Sequence, residues 1–349
     1  MKTNLPFFFL CIFLFLVSSC KKTGKEYENP RIYTPQPLEV TNSKALFRAT
    51  FLKGTDEITT FGFEWKKTTE STYNKITVQA GKENFYFTAT GLEEDTEYNL
   101  KSFIIDIYDT VWYGKEIKFF TKGTVSDIDG NIYLTMRYGK TVWMTENLRV
   151  TRFADGTPIE ARSGGQFDDS DGPVYYHNKL HTLQPVPNQP NFGLLYNWAA
   201  ARNAEDCNSI FKVNNPMLPN AYQGICPAGW HLPSSQEWTE LIDRFGGSEL
   251  AADTMKSENW PDPPAAKFNY SHFSIEPAGF YYWDIYNKVE RDFRGHYESA
   301  FFWTSNQITE AFSTKSYSAT GLQIVTGFSK IENHPMRKCT GYSIRCIKD

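Results

Sequence analysis

The sequence lacks the spacings that mark metal or thiol-disulfide chemistry. It contains no CxxC and no HExxH motif, and its six histidines are scattered along the chain, so no zinc pattern is present. Lysine and arginine do not cluster, and the formal net charge is −4. A basic surface for nucleic acid is therefore not expected.

Long apolar runs are also scarce, and the one at the N-terminus is short. The run from Leu5 to Val17 is shorter than the roughly 20 residues of a membrane-spanning helix. It follows Lys2 and ends in "VSSC", which resembles the lipobox of bacterial lipoproteins. We expect residues 1–19 to be a signal peptide and Cys20 to be lipidated, with secretion after cleavage elsewhere as the alternative.

The segment after Cys20 is polar and rich in proline. Residues 20–37 contain Pro30, Pro35 and Pro37 and show no apolar periodicity, which is typical of a tether. The expected location is the cell envelope, on the outer membrane through the lipid anchor. The sequence leaves the periplasmic and the surface face open.

Aromatic residues are abundant, at 16% of the chain with 20 Tyr and 27 Phe, and they favour β-rich domains. Residues 38–122 contain six to seven short β-type runs separated by turns. The stretch "TGLEEDTEYNLKSFIID" resembles the fibronectin type III pattern. That resemblance implies an all-β sandwich in which Leu92 fills the core, Tyr98 forms a tyrosine corner and Trp65 is a core residue. Such modules serve as spacers or contact surfaces.

A second region, residues 126–349, contains five ordered motifs. They are "SDIDGNIY" with "WMTENL", then "GLLYNWAAA", "CPAGWHLPSSQEW", "FFWTSN" and "GYSIRCIKD". In this order they resemble the Fibrobacter succinogenes major paralogous domain of exported proteins in Bacteroidetes and Fibrobacteres. The resemblance implies an α+β fold similar to C-type lectins and to formylglycine-generating enzymes.

The stretch "GICPAGWHLPSSQEW" could be a reaction centre or a structural unit. Cys226 and His231 could be a nucleophile and its base. "SSQE" instead predicts a helix capped by Ser234 with Glu237 in a capping box. The apolar positions Trp238, Leu241, Ile242 and Phe245 predict the buried face of that helix, and two glycines at 246 and 247 predict its end.

The family resemblance favours the structural interpretation. Four cysteines remain after residue 20, which allows three disulfide pairings. The resemblance pairs Cys226 with Cys346 and leaves Cys207 with Cys339. A bonded Cys226 is no nucleophile, and His231 then becomes a turn histidine without a catalytic partner. No cysteine stands where the formylglycine-generating enzymes carry their working pair.

Two ligand sites are candidates on chemical grounds. Asp168, Asp169 and Asp171 could hold calcium in one loop, although a solvated loop is the favoured interpretation, and no other cofactor is expected. Asp127 and Asp129 are expected to form a turn. The aromatic residues near loops, which could stack on sugar rings, are Trp260, Tyr281, Tyr282 and Trp283.

The sequence therefore predicts a non-catalytic lipoprotein that binds or adheres to a glycan or a cell-surface protein. Nucleic acid is not an expected partner. Two alternatives remain, an enzyme on a formylglycine-generating-like scaffold and a structural component of a surface assembly.

Overall fold

The computed structural model describes residues 27–79, 84–162, 171–177, 192–207, 223–262, 269, 271–282, 294–308 and 317–349. These residues form mostly antiparallel β-sheets with three short helices. Within them, no helix is both long enough and apolar enough to cross a bilayer.

The N-terminal part consists of nine strands. They are β1 (Arg31–Tyr33), β2 (Glu39–Val40), β3 (Lys44–Leu52), β4 (Ile58–Lys67), β5 (Asn74–Val78), β6 (Asn84–Thr90), β7 (Glu97–Asp106), β8 (Val111–Tyr113) and β9 (Ile117–Phe120). One sheet joins β1, β2 and β6 to β3, and the other joins β5, β4, β7, β8 and β9.

The inner faces of the two sheets enclose a common core because apolar residues alternate along their strands. In β3, for example, Phe47 and Ala49 are buried between exposed or half-buried neighbours. Leu92 and Tyr98 belong to this core, and Trp65 packs against it while partly exposed. The Tyr98 hydroxyl accepts a hydrogen bond from the backbone N–H of Glu93, as expected of a tyrosine corner.

This part begins earlier than the sequence predicted. Strand β1 lies within the predicted tether of residues 20–37, yet it pairs in antiparallel register with β3. Arg31 faces Leu52 and Tyr33 faces Thr50. The prolines hid this strand, because they interrupt the run of residues that would otherwise predict it.

The C-terminal part contains eleven strands and three helices. They are β10 (Gly123–Ser126), β11 (Ile132–Tyr138), β12 (Thr141–Met144), β13 (Glu160–Arg162), β14 (Val174–Tyr176), β15 (Leu195–Tyr196), α1 (Trp198–Arg202), β16 (Trp230–His231), α2 (Ser235–Asp243), α3 (Ala251–Met255), β17 (Ser299–Ile308), β18 (Ser318–Val325), β19 (Ile331–Arg337) and β20 (Ile347–Lys348).

One sheet of this part brings together several of the sequence motifs. Its strand order is β10, β11, β12, β20, β16, so the terminal strand lies between the predicted hairpin and the strand that holds His231. The hairpin pairs Tyr138 with Thr141 across its turn. Two further three-stranded sheets, β13–β14–β15 and β17–β18–β19, complete the described fold.

Candidate functional site

The stretch from Gly224 to Trp238 is a structural unit. Cys226 forms a disulfide with Cys346, with 5.9 Å between their Cα atoms. This confirms the pairing expected from the family resemblance. Both sulfurs are buried in the core. A sulfur in a disulfide bond carries no thiolate, so Cys226 is not available as a nucleophile.

Helix α2 begins as the sequence predicted. The Ser234 hydroxyl accepts a hydrogen bond from the Glu237 backbone N–H, and the Glu237 carboxylate accepts one from the Ser234 backbone N–H. Trp238, Leu241 and Ile242 form the buried face of the helix. The helix ends at Asp243, three residues before the first of the two glycines that were predicted to end it. Gly246 and Gly247 adopt positive φ angles of 99° and 79° in the turn that follows, a conformation that side chains disfavour.

His231 is not a turn histidine without partners. Its Nδ1 lies 2.7 Å from the Asp349 carboxylate and its Nε2 lies 2.9 Å from the Glu237 carboxylate. Burial lowers the pKa of His231, but the hydrogen bonds to Glu237 and Asp349 outweigh this effect and the pKa is raised. A protonated imidazole can donate to both carboxylates at once, so His231 links α2 to the chain end.

A cleft of about 230 Å³ lies beside the disulfide. Two turns and a loop form it, from residues 126–128, 150–154 and 225–228 of the chain. Most of its surface is apolar, and the residues that line it are Ser126, Asp127, Ile128, Val150, Arg152, Ala154, Ile225, Cys226, Pro227 and Ala228. Ile128 is 42% exposed here although its side chain is large and apolar.

The carboxylates at the edge of the cleft are used within the protein. Asp127 accepts hydrogen bonds from the backbone of Asp129 and Asn131 and from the Tyr133 hydroxyl. Asp129 accepts from Thr151 and Arg152. Burial raises the pKa of Asp129, but these hydrogen bonds outweigh it and the pKa is lowered. The expected turn is present, and these groups fix its shape.

A comparison with known protein families identifies the C-terminal part of the chain. Residues 136–348 match the Fibrobacter succinogenes major domain. The chain belongs to this family. The match begins ten residues after the predicted boundary at residue 126, so strand β10 and the Asp127 turn lie outside the matched segment.

Other comparisons add little to the family assignment. The sensor domain of the anti-sigma factor RsgI4 in Pseudobacteroides cellulosolvens is 14% identical, with a TM-score of 0.22 over 27% of this chain and 89% of that chain. A myokine structure is 18% identical, with a TM-score of 0.21 over 27% of this chain and 94% of that chain. No curated protein matches the sequence.

The structure of the Fibrobacter major domain does not place the predicted sugar-stacking residues on one surface. Trp260 is 1% exposed in one core cluster, and Tyr281 is 5% exposed in another, where its ring stacks on Tyr176. Tyr282 is half-buried, and Trp283 lies outside the described residues. Trp260 and Tyr281 therefore cannot offer a ring face to a sugar, because that face already packs in the core.

The predicted calcium loop is described only at its end. Asp171 forms an ion pair with Arg162 at 2.7 Å, so this carboxylate has a cation of its own. Asp168 and Asp169 lie outside the described residues. Over the part of the chain that the structure describes, no group of three or more metal-binding side chains occurs.

The second predicted disulfide is not formed in this structure. Cys207 and Cys339 are both buried in the same small cluster of the Fibrobacter major domain, but no bond joins them. The Cys207 sulfur instead accepts a hydrogen bond from the Asn197 side chain at 3.3 Å.

The sequence did not predict the cleft, because the residues that line it come from three short segments that are far apart in the chain. One signal was available. Ile128 is an isoleucine between two aspartates in a turn, where apolar residues are uncommon.

Proposed function

We propose that this protein is a non-catalytic binding protein of the cell envelope that receives an apolar side chain of a protein ligand in the cleft beside the Cys226–Cys346 disulfide. The cleft itself is the observation that supports this function. Its volume of about 230 Å³ exceeds the roughly 150 Å³ cavity that is known to hold a benzene ring. An aliphatic or aromatic side chain would therefore fit.

The chemistry of the cleft favours a protein over a glycan. Sugar sites usually combine ring platforms with several free polar groups. The residues that line this cleft include no aromatic side chain, and its carboxylates are engaged with neighbouring residues. Ile128, Val150 and Ile225 instead offer an apolar contact, which is the core of many protein interfaces.

The same reasoning weighs against the alternative of a thiol enzyme. A reaction at Cys226 would first require reduction of a buried disulfide. His231 is also directed at two carboxylates rather than at a sulfur.

The finer features of the molecule form part of the proposal. The two-sheet core and the Tyr98 hydrogen bond support a fibronectin III-like module in the N-terminal part. The disulfide joins Cys226, nine residues before α2, to Cys346, next to the last strand, and it supports a C-type-lectin-like fold in the C-terminal part. We include lipidation at Cys20, with the body of the protein held at the membrane.

A peptide selection tests the proposed site. Random heptapeptides displayed on phage are selected against the chain lacking residues 1–20, and the affinities of the selected peptides are measured by calorimetry. We expect the peptides to share an apolar residue, and Ile128→Glu to weaken binding by about tenfold or more. Ile132→Glu is the matched control, because Ile132 is 61% exposed and does not line the cleft.

Equal binding by both variants would place the peptide site elsewhere and would contradict the proposal. Selection of no peptide that depends on Ile128 would do the same.

A further inference from the structure

One end of the N-terminal part brings together three segments, residues 27–28, 53–57 and 106–111. The backbone N–H of Thr55 donates to the Glu28 carbonyl at 2.9 Å, and the Thr55 hydroxyl accepts from the Glu28 N–H at 2.8 Å. The Ile107 N–H donates to the Glu57 carbonyl at 3.1 Å. These contacts hold the three segments in one surface, which we call the tyrosine end.

The tyrosine end exposes large side chains. Tyr27 is 59% exposed, Tyr108 is 70% exposed and Ile107 is 49% exposed. The Tyr27 hydroxyl donates to the Asp56 carboxylate at 2.7 Å, which fixes the position of its ring. Both tyrosines stand on the hydrogen-bonded segments of this end, so two exposed aromatic rings are available there.

The loop that presents Tyr108 is held rigidly. The buried Asp106 carboxylate accepts hydrogen bonds from the backbone N–H groups of Tyr108 and Thr110, both at 2.9 Å. It also accepts one from the Trp112 indole at 3.0 Å. These bonds hold the backbone at Tyr108, so binding there need order only the side chain, which lowers the entropy cost of an interface hot spot.

The tyrosine end is also strongly acidic. Five carboxylates and one lysine lie in its three segments, which gives a formal charge of −4. They are Glu28, Asp56, Glu57, Asp106, Asp109 and Lys53. The whole chain has the same formal net charge of −4 over 349 residues, so this end is far more acidic for its length than the chain as a whole.

We propose that the tyrosine end binds a basic segment of a partner protein, with lysine or arginine side chains over the faces of Tyr27 and Tyr108. Cations bind to the negative face of an aromatic ring, and the surrounding carboxylates add long-range attraction. The same charge repels anionic partners such as nucleic acid and acidic lipid. The carboxylates form no metal cluster within the described residues.

The same chemistry already occurs within this protein. On the sheet that contains β7 and β8, the Lys101 ammonium lies 4.4 Å from the Tyr73 ring centre and 4.3 Å from that of Tyr113. It also pairs with the Glu64 carboxylate at 2.9 Å. Two tyrosine rings and a carboxylate therefore hold one lysine, which is the arrangement we infer for the partner's cation at the tyrosine end.

A labelled hexalysine peptide tests this proposal by fluorescence anisotropy with the chain lacking residues 1–20. We expect Tyr108→Ala to bind about threefold to fivefold more weakly than the unmodified protein, and Tyr108→Phe to bind as the unmodified protein does. Tyr86→Ala is the matched control, since Tyr86 is a 49% exposed tyrosine on β6. Binding should weaken severalfold between low and physiological salt.

The proposal is wrong if Tyr108→Ala and Tyr86→Ala bind hexalysine equally well, or if hexalysine does not bind. Binding of neutral maltohexaose that is lost in Tyr108→Ala, without hexalysine binding, would identify a sugar platform instead. Thermal unfolding of each variant shows that it is folded. Because the cleft is a separate surface, peptide binding at Ile128 can succeed or fail independently of this result.

Discussion

At the scale of single residues, His231 illustrates how burial and charge decide a role that the sequence leaves open. The imidazole is only 7% exposed, and both of its nitrogens face carboxylates, from Glu237 and Asp349. A buried charge persists where its partners outweigh the cost of desolvation. The histidine of the motif therefore acts as a cationic link between the helix start and the terminal strand.

We expect His231→Gln to destabilise the protein most in mildly acidic solution. The raised pKa of His231 means that its contribution is fully present below the unfolded pKa of about 6.5 and is lost as the pH rises through the higher folded pKa. Burial raises the pKa of Glu237, but hydrogen bonds from His231 and Ser234 lower it overall. The contribution of Glu237 is therefore present above about pH 4.5 and is lost as the pH falls.

Melting temperatures of both proteins between pH 4 and pH 9 check this prediction. The difference should be about 2–4 °C or more near pH 5.5, which corresponds to roughly 1 kcal/mol, and should shrink towards pH 9. His334→Gln is the control, because His334 is an exposed histidine on β19. A difference that does not change with pH would show that His231 acts by packing alone.

At the scale of elements, helix α2 combines a cap with a buried face. Ser234→Ala removes the capping hydrogen bond and should lower the free energy of unfolding by about 1 kcal/mol. Trp238→Ala should cost more, roughly 3–5 kcal/mol. Its ring is 1% exposed and lies 4.8 Å from Trp143 and 5.3 Å from Phe302, between ring centres.

Urea unfolding of both variants at pH 7 gives the two values. Gln236→Ala, at an exposed position on the same helix, should change stability by less than about 0.5 kcal/mol. If Ser234→Ala were as damaging as Trp238→Ala, the cap would be doing more than completing the first turn.

The disulfide links elements that are far apart in sequence. Cys226 and Cys346 are 120 residues apart, and the chain-entropy estimate for a loop of that length is about 5 kcal/mol. We expect the double replacement by serine to lower unfolding free energy by an amount of this order, measured with denaturant. The same change in Cys207 and Cys339 should cost less, because no bond is lost. Equal effects would argue against this role of the disulfide.

Elements with a local signal could be predicted from the sequence, and those with a distant partner could not. The capping box and the apolar periodicity lie within α2 itself, so Ser234 and Trp238 were assigned correctly. Strand β1 has no such signal, because its pairing with β3 depends on residues about twenty positions away. The prediction that Trp260 and Tyr281 are exposed was wrong for the same reason, because their burial depends on tertiary packing rather than on composition.

At the scale of the whole molecule, the two parts are in contact. Asp95 of the N-terminal part forms an ion pair with Arg137 at 2.9 Å, and Phe120 packs against the core cluster that contains Trp238. Lys122 is buried between them, and desolvation lowers its pKa to about 8. A sequence boundary near residue 122 marks a change of pattern, but it does not imply a flexible joint.

The candidate site likewise exists only in the folded molecule. The cleft is made by three segments that are separated by up to about a hundred positions in the chain. The disulfide inferred from the family resemblance involves one of these segments, through Cys226, and does not connect it to the other two. The acidic charge of the tyrosine end could not be predicted from the sequence either, because Glu28, Asp56 and Asp109 lie in separate loops and the net charge of the chain is modest.

In the proposed lipoprotein, the position of the whole molecule at a membrane depends on Cys20. Acylation of this residue would anchor the body of the protein, because several acyl chains together bind a bilayer stably. We expect Cys20→Ala to move the protein from the detergent phase to the aqueous phase in Triton X-114 partitioning of producing cells. Cys11→Ala is the matched control, since Cys11 lies inside the apolar run and would be removed with the signal peptide. If Cys20→Ala stayed in the detergent phase, or if Cys11→Ala left it equally, anchoring through lipid on Cys20 would be wrong.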